Sequence, residues 1–323
     1  MSKHNRFGLT RAGIFGPARL AAVAMVAVTA LATPQAHAVP FTLGAFETYG
    51  LLVNDGASGG DINTFPVNAN IGIGLVTGPV NLHTGVINGK VDCEGSCAAA
   101  VSGGAITGTQ PVSRGGAPSP ASVNSFVPAV LSAITAAKNL SSTYGAESGS
   151  GTAVTINGTT NINASSGFLD TSGARVFTAS SFSIGNGNTV TINGTSSDFV
   201  VIDITGNSGN KLDGALTLTG GITDDQVLIN FIGVGNNVQG AANGATLQGT
   251  FLIPNEGVQL NSLTIEGHLF GGAPGDNFQF VSNALINQPP IIFFPPVPEP
   301  ASLALLGTAL AALGLIRRRR KSV

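Results

Sequence analysis

Between Thr152 and Phe270 the chain repeats one pattern: short runs in which apolar and polar residues alternate, each closed by glycine or asparagine. Period-two alternation over four to eight residues is the mark of a strand with one face buried. The runs are Phe199–Ile204, Ala215–Thr219, Gln226–Phe231, Thr250–Ile253, Val258–Leu260 and Leu263–Phe270. Phe41 to Val91 gives shorter pieces of the same kind, at Asn68–Gly74 and Gly85–Val91. Gly95 to Pro120 has few large apolar residues and several glycines and prolines, and predicts a loop or excursion. One stretch changes period. From about Ala121 to Tyr144, Val127, Val130, Leu131, Ile134, Ala137 and Leu140 recur at steps of three and four, which predicts one face of an α-helix with Gly145 as its C-terminal cap.

Short strands, tight polar turns and no second helical layer leave a sandwich or a β-helix. The β-helix is favoured, because each strand then pairs with its equivalent in the next turn and open edges remain only at the ends. The expected fold is mainly β: a solenoid over 39–290, flanked by the helix at about 121–144. Ala153-Val154-Thr155-Ile156-Asn157-Gly158-Thr159 is nearly repeated as Thr189-Val190-Thr191-Ile192-Asn193-Gly194-Thr195, at an offset of 36 residues (190 − 154). That would suit two solenoid turns of about 18 residues each; chance similarity in a Gly/Asn/Thr-rich chain is the alternative.

The two ends follow other rules. Lys3, Arg6, Arg11 and Arg19 precede an apolar run, Leu20 to Ala32, and a small-x-small site, Ala36-His37-Ala38. This is the layout of a secretory signal peptide (1–38), cut after Ala38 by signal peptidase. At the other end a linker (291–297) leads to a tail (298–323). There the uncharged run Ala301 to Ile316 would reach about 24 Å as a helix, slightly short of a bilayer core of about 30 Å. Pro298 and Pro300 mark its start, and Arg317, Arg318, Arg319, Arg320 and Lys321 form a basic stop that places the C-terminus in the cytoplasm and the body outside.

Charge sharpens the division. Between 39 and 296 there are five Lys/Arg and fifteen Asp/Glu, a net of 5 − 15 = −10, masked in the whole-chain value of −2 by the basic ends. Such a body is a poor partner for nucleic acid. Cys93 and Cys97 are the only cysteines; in an exported chain a local disulfide is the leading reading, and a metal site would need more ligands than nearby His83 supplies.

Pro298-Glu299-Pro300, the apolar helix and the arginine cluster, in that order at the C-terminus, resemble the PEP-CTERM sorting signal. The resemblance implies recognition by an exosortase-type membrane protease, processing near Pro298-Glu299-Pro300, and a tail that anchors only transiently before delivery to the cell surface or an exopolysaccharide matrix. In the body, Val227–Phe231, the turn Gly249-Thr250-Phe251-Leu252-Ile253-Pro254-Asn255 and the strands through Gly271 resemble the choice-of-anchor A family. The resemblance covers Gln226 to Gly272 and implies an ice-binding-like β-helix with a flanking helix. Pro254-Asn255 would turn the chain, with Thr250 and Asn230 satisfying turn backbone.

Candidate chemistry is sparse. The body holds two histidines, His83 and His268; no Gly-x-Ser-x-Gly elbow is followed by plausible partners, and no HExxH or paired CxxC occurs. His268 and Asp203 lie in strands, and Asp224-Asp225 reads as a turn. No catalytic residue, metal or cofactor is expected. Adhesion or matrix structure leads. Ice binding is second: Thr155, Thr191, Thr217 and Thr219 are present, but no array of three or more rungs is visible. A carbohydrate-active enzyme is third, with paired carboxylates as its requirement. Lyase action is disfavoured by having only Arg114, Arg175 and three lysines as cations.

Overall fold

The computed structural model describes residues 41–62, 67–82, 89–96, 101–102, 123–241, 244–282 and 284–288. The signal site Ala36/Ala38, the Pro298-Glu299-Pro300 motif, the apolar run 301–316, the basic stop, His83 and Cys97 all lie outside these residues. Among the described residues no helix is long and apolar enough to cross a membrane.

The strands wind into a parallel β-helix with three faces. On the first, Arg175–Ala179, Val200–Ile204, Val227–Phe231, the second halves of Thr246–Ile253 and Thr264–Gly271, Leu51–Val53, Ile71–Ile73, Val91–Cys93 and Val123–Asn124 stack in that order. On the second lie Thr160–Asn163, Thr189–Asn193, Ala215–Thr219, the first halves of the two long strands, and Leu285–Asn287. The third is a nine-stranded sheet from Ile156–Asn157 to Val101–Ser102. Every pairing between named strands is parallel except that of Phe168–Leu169 with Arg175 and Val176, which closes one end of the first face. The two long strands cross from second to first face at Gly249 and Gly267, where φ is 128° and 141°. A Cβ on Gly267 would collide with the Gly249 carbonyl, so glycine is required at this stacked corner.

The turns do not stack in chain order. Leu51–Val53 docks between the late strand Thr264–Gly271 and Ile71–Ile73, with Leu51 opposite both Leu269 and Ile71. The chain thus enters mid-solenoid and builds outward to Val123–Asn124. The helix Pro128–Gly145 (α1) then carries it back to start the other end, which grows towards the entry point. Eight strand spacings of about 4.8 Å separate Arg175–Ala179 from Val123–Asn124 on the first face, roughly 38 Å. Eighteen helical residues cover about 27 Å of it.

Two cores result. One fills the solenoid with inward side chains such as Phe182, Phe231, Phe251, Phe278 and Phe280. The other lies between α1, the segment around Phe46 and Tyr49, and the outward side chains of the first face: Val176, Val201, Leu228, Leu252, Phe270 and Leu52.

Several expectations change. The helix begins at Pro128, not near Ala121: proline needs no N–H at the first helical position, and Val123–Asn124 is already paired as a strand. Its buried face is Val130, Ala133, Ile134, Ala137, Ser141 and Tyr144; Leu131 is 46 % exposed. Gly145 is the last helical residue rather than the cap, and its lack of a side chain lets the helix end approach Ile232. Val101–Ser102, inside the expected loop, is a strand paired with Val80–Leu82. The 36-residue repeat is not structural. Thr152–Ala153 and Ile156–Asn157 lie on the first and third faces, whereas Thr189–Asn193 is on the second and pairs with Thr160–Asn163. Alternation ending in Asn-Gly suits any rung, so it carries no register.

Candidate functional site

On the third face, outward positions fall in one continuous column. Register places Asn157, Ser183, Lys211, Gln239, Gln259, Gln279, Asp61 and Asn81 on successive strands. Their inward neighbours (Val238, Val258 and Leu260, Phe278 and Phe280) are buried. Nothing among the described residues covers this sheet, and no aromatic residue projects from the column. Parallel strands set successive side chains about 4.8 Å apart. The amides bond along the ladder: Gln239 Nε2 donates to Gln259 Oε1 at 3.3 Å, and Asn81 Nδ2 to Asp61 Oδ1 at 2.9 Å. Flanking positions are trimmed, with Gly257 opposite Asn237 and Gly59 opposite Asn277. The result is a regular hydrogen-bonding surface in which Lys211 and Asp61 are the charged members of the column. Sequence reading missed it, although one signal was present: Gln239, Gln259 and Gln279, each preceded by Val or Phe, recur at steps of 20, as do Asp61 and Asn81.

On the second face, Thr191 and Thr217 are adjacent, their hydroxyls 3.3 Å apart, and Thr219 follows Asn193. Asn161 and Gln248 flank the Thr191/Thr217 pair, so the threonine column spans two strands. Thr155 lies between Thr152–Ala153 and Ile156–Asn157, outside that column.

The other candidates are structural. His268 is buried on the first face with Nδ1 2.8 Å from the Tyr49 carbonyl oxygen; burial lowers its pKa to about 4, so at neutral pH the ring is uncharged and donates from Nδ1. Asp203 lies under α1 in a buried network. Asn230 Nδ2 donates to Asp203 Oδ1 (2.7 Å) and to the Ser141 carbonyl (3.0 Å), and the Ser141 hydroxyl donates to Asn230 Oδ1 (2.5 Å). Asn230 therefore satisfies helix backbone, not a turn, while Thr250 is buried in a strand with no partner for its hydroxyl. Burial pushes Asp203 up to about 7, against the opposing pull of the Asn230 bond. Towards the other end of α1, burial and a bond to Asp55 push Glu94 up to about 7, and Asp55 lies 3.9 Å from Lys138. Asp224 and Asp225 form a short 3-10 turn closed by a capping box between Thr223 and Gln226.

Cys93 is buried and disulfide-bonded. Gly56-Ala57-Ser58-Gly59-Gly60 has nucleophile-elbow spacing, but Ser58 leads into a parallel strand and its hydroxyl donates to Asn277 Oδ1 at 2.7 Å. Among the described residues no group of three or more His, Cys, Asp or Glu could hold a metal ion.

Comparison with known proteins gives two family matches: a PEP-CTERM protein-sorting motif over residues 296–321 and an ice-binding-like adhesive domain over 41–276. No curated protein sequence matches the chain. Similar solved structures include an ice-binding protein from the Antarctic ascomycete Antarctomyces psychrotrophicus (16 % identity, TM-score 0.47, covering 77 % of this chain and 98 % of that one). An Arctic yeast ice-binding protein is similar at 14 % identity and TM-score 0.47 (81 % and 98 %). So is one from an Antarctic biological consortium, at 14 % and 0.40 (79 % and 92 %). The sorting motif marks the chain for export and is of the kind recognised by exosortase, and the adhesive domain supports a surface or adhesive role. With its model matched across most of the chain, this protein belongs to the ice-binding-like adhesive domain family.

Proposed function

We propose that this protein is a non-catalytic contact protein of the cell surface or extracellular matrix. In this reading an exosortase-type protease processes the tail near Pro298-Glu299-Pro300 after transient anchoring through 301–316. The body then adheres, as the Gln226–Gly272 resemblance to choice-of-anchor A proteins suggests. The observation that carries the reading is the nine-stranded face, uncovered among the described residues, with its column of outward amides. The titratable residues of the first face are engaged in packing, which supports contact over catalysis. Deleting the gene should reduce cell-to-surface attachment, and mass spectrometry of secreted and membrane fractions should find chains ending near Pro298. Unchanged attachment in the deletion strain would sink the reading, and so would new reducing ends released from a polysaccharide panel by the purified body.

A second reading, ice binding, is favoured by the evenly spaced rungs of the third face together with the family match. A thermal-hysteresis assay decides it: no hysteresis from the folded body removes it.

A further inference from the structure

The contact reading names a face but not what the face meets. Gln239, Gln259 and Gln279 stand in register on adjacent strands. A primary amide carries two N–H donors and an acceptor and no net charge. One bond runs along the ladder, from Gln239 Nε2 to Gln259 Oε1 at 3.3 Å, which leaves further amide donors and acceptors on the three side chains. A surface that donates and accepts at regular intervals suits hydroxyl groups, which do the same. The column lacks the Trp, Tyr and Arg anchors that dominate protein–protein hot spots, and the chain has no tryptophan at all. Its charges are Lys211 on one side of the glutamines and Asp61 on the other, set in a body of net −10. A polyanion would be repelled over the whole body, and an uncharged polymer would not.

The last described residues lie away from this face. Asn287 is in register with Glu266, so Gln288 emerges level with Gly267, at the corner between the first and second faces. That corner is opposite the third face. Gln288 is held there, its Nε2 donating to the Glu47 carbonyl at 2.7 Å.

We propose that the Gln239–Gln259–Gln279 ladder is a binding face for uncharged, hydroxyl-rich polysaccharide. Single hydrogen bonds to solvated hydroxyls are weak, and binding accumulates by repetition along a chain. Affinity therefore rises with polymer length and depends little on salt. This rests on the contact reading above.

Affinity electrophoresis of the mature protein tests it, with long and short dextran, a linear β-glucan and alginate as probes. Long uncharged glucan should retard the protein equally at low and high salt, and short glucan at least tenfold less. Q239A/Q259A/Q279A should weaken retardation tenfold or more, while T191A/T217A on the second face should not change it. Retardation by alginate alone, lost with salt, would overturn the proposal. No retardation by any glucan, or a triple variant that binds like the parent while showing a native unfolding midpoint, would do the same. If the deletion strain loses attachment yet no glucan retards the protein, this inference fails and the contact reading stands; unchanged attachment fails the contact reading itself.

Discussion

The first and third faces are built by the same parallel pairing yet are written differently in sequence. On the first, Val200–Ile204 and Val227–Phe231 are buried at every position, because α1 and the segment around Phe46 cover their outward side. On the third, Val258–Asn261 and Asn277–Val281 alternate buried with partly or fully exposed residues, and nothing among the described residues covers them. Strands buried on both sides read as near-continuous apolar runs and strands buried on one side alternate, so Val200–Ile204 and Val227–Phe231 depart from the alternation expected of them. In a solenoid this distinguishes the face committed to holding the molecule together from the face available for contact.

The sharpest way to break that comparison is to make the same truncation on each face. Phe270 projects outward on the first face against Phe46 and Leu52 and is fully buried. Phe270→Ala should cost about 3–5 kcal/mol, read as a lowered urea midpoint at unchanged m-value. A loss below 1 kcal/mol would mean that the second core is not essential.

Next comes Asn230→Ala. It strands the Ser141 carbonyl and Asp203 Oδ1 under the helix, and a buried group left without its partner costs about 1–3 kcal/mol. The loss should localise, with amide exchange accelerating in the last turns of α1 before the strands. Uniform acceleration would argue that the network does not dock the helix.

Asp203→Asn probes the same network through pH. Its carboxyl is raised from 3.8 to about 7 by burial, so the folded state holds a proton that the unfolded state has released between those values. Stability contributed at this site is therefore present below about pH 4, is lost as pH rises to about 7, and is constant above. Asparagine imitates the protonated form. The variant should match the parent at pH 4 and exceed it by a few kcal/mol at most at pH 8. An advantage that is the same at both pH values would show that the carboxyl does not titrate in that window.

How much of this was legible follows from where the information sits. Ala215–Thr219 could be read to the residue, because a strand with one buried face writes its own alternation. The helix was visible, but its start was not: the apolar spacing runs through Val127, and only the pairing of Val123–Asn124 with Val91 and Asp92 stops it. Leu131 fits the helical period yet faces solvent, since the period gives a stripe and only packing gives its edges. The docking of Leu51 on Leu269 lay beyond local pattern, as it joins segments more than two hundred residues apart. The ladder was legible in principle at a step of 20, but rung lengths vary: Val91 to Val123 takes 32 residues and Phe251 to Leu269 takes 18. No single fixed period describes these rungs, and the 36-residue near-repeat is one that the fold does not use.

The smallest expected effect completes the comparison. Gln259 projects from the third face, its side chain bonded among the described residues to a neighbouring glutamine, while its inward neighbours Val258 and Leu260 hold the strand in the core. Gln259→Ala removes a solvated amide and leaves the packing intact, so stability should change by less than about 0.5 kcal/mol. The backbone pairing of Gly257–Asn261 with both neighbouring strands should persist. A loss comparable to that of Phe270→Ala would mean that the ladder is itself structural, its amides cross-linking the rungs. The third face would then stabilise the molecule as the first does. A silent change in stability leaves the outward glutamines without a structural role, as a surface kept for something outside the molecule requires.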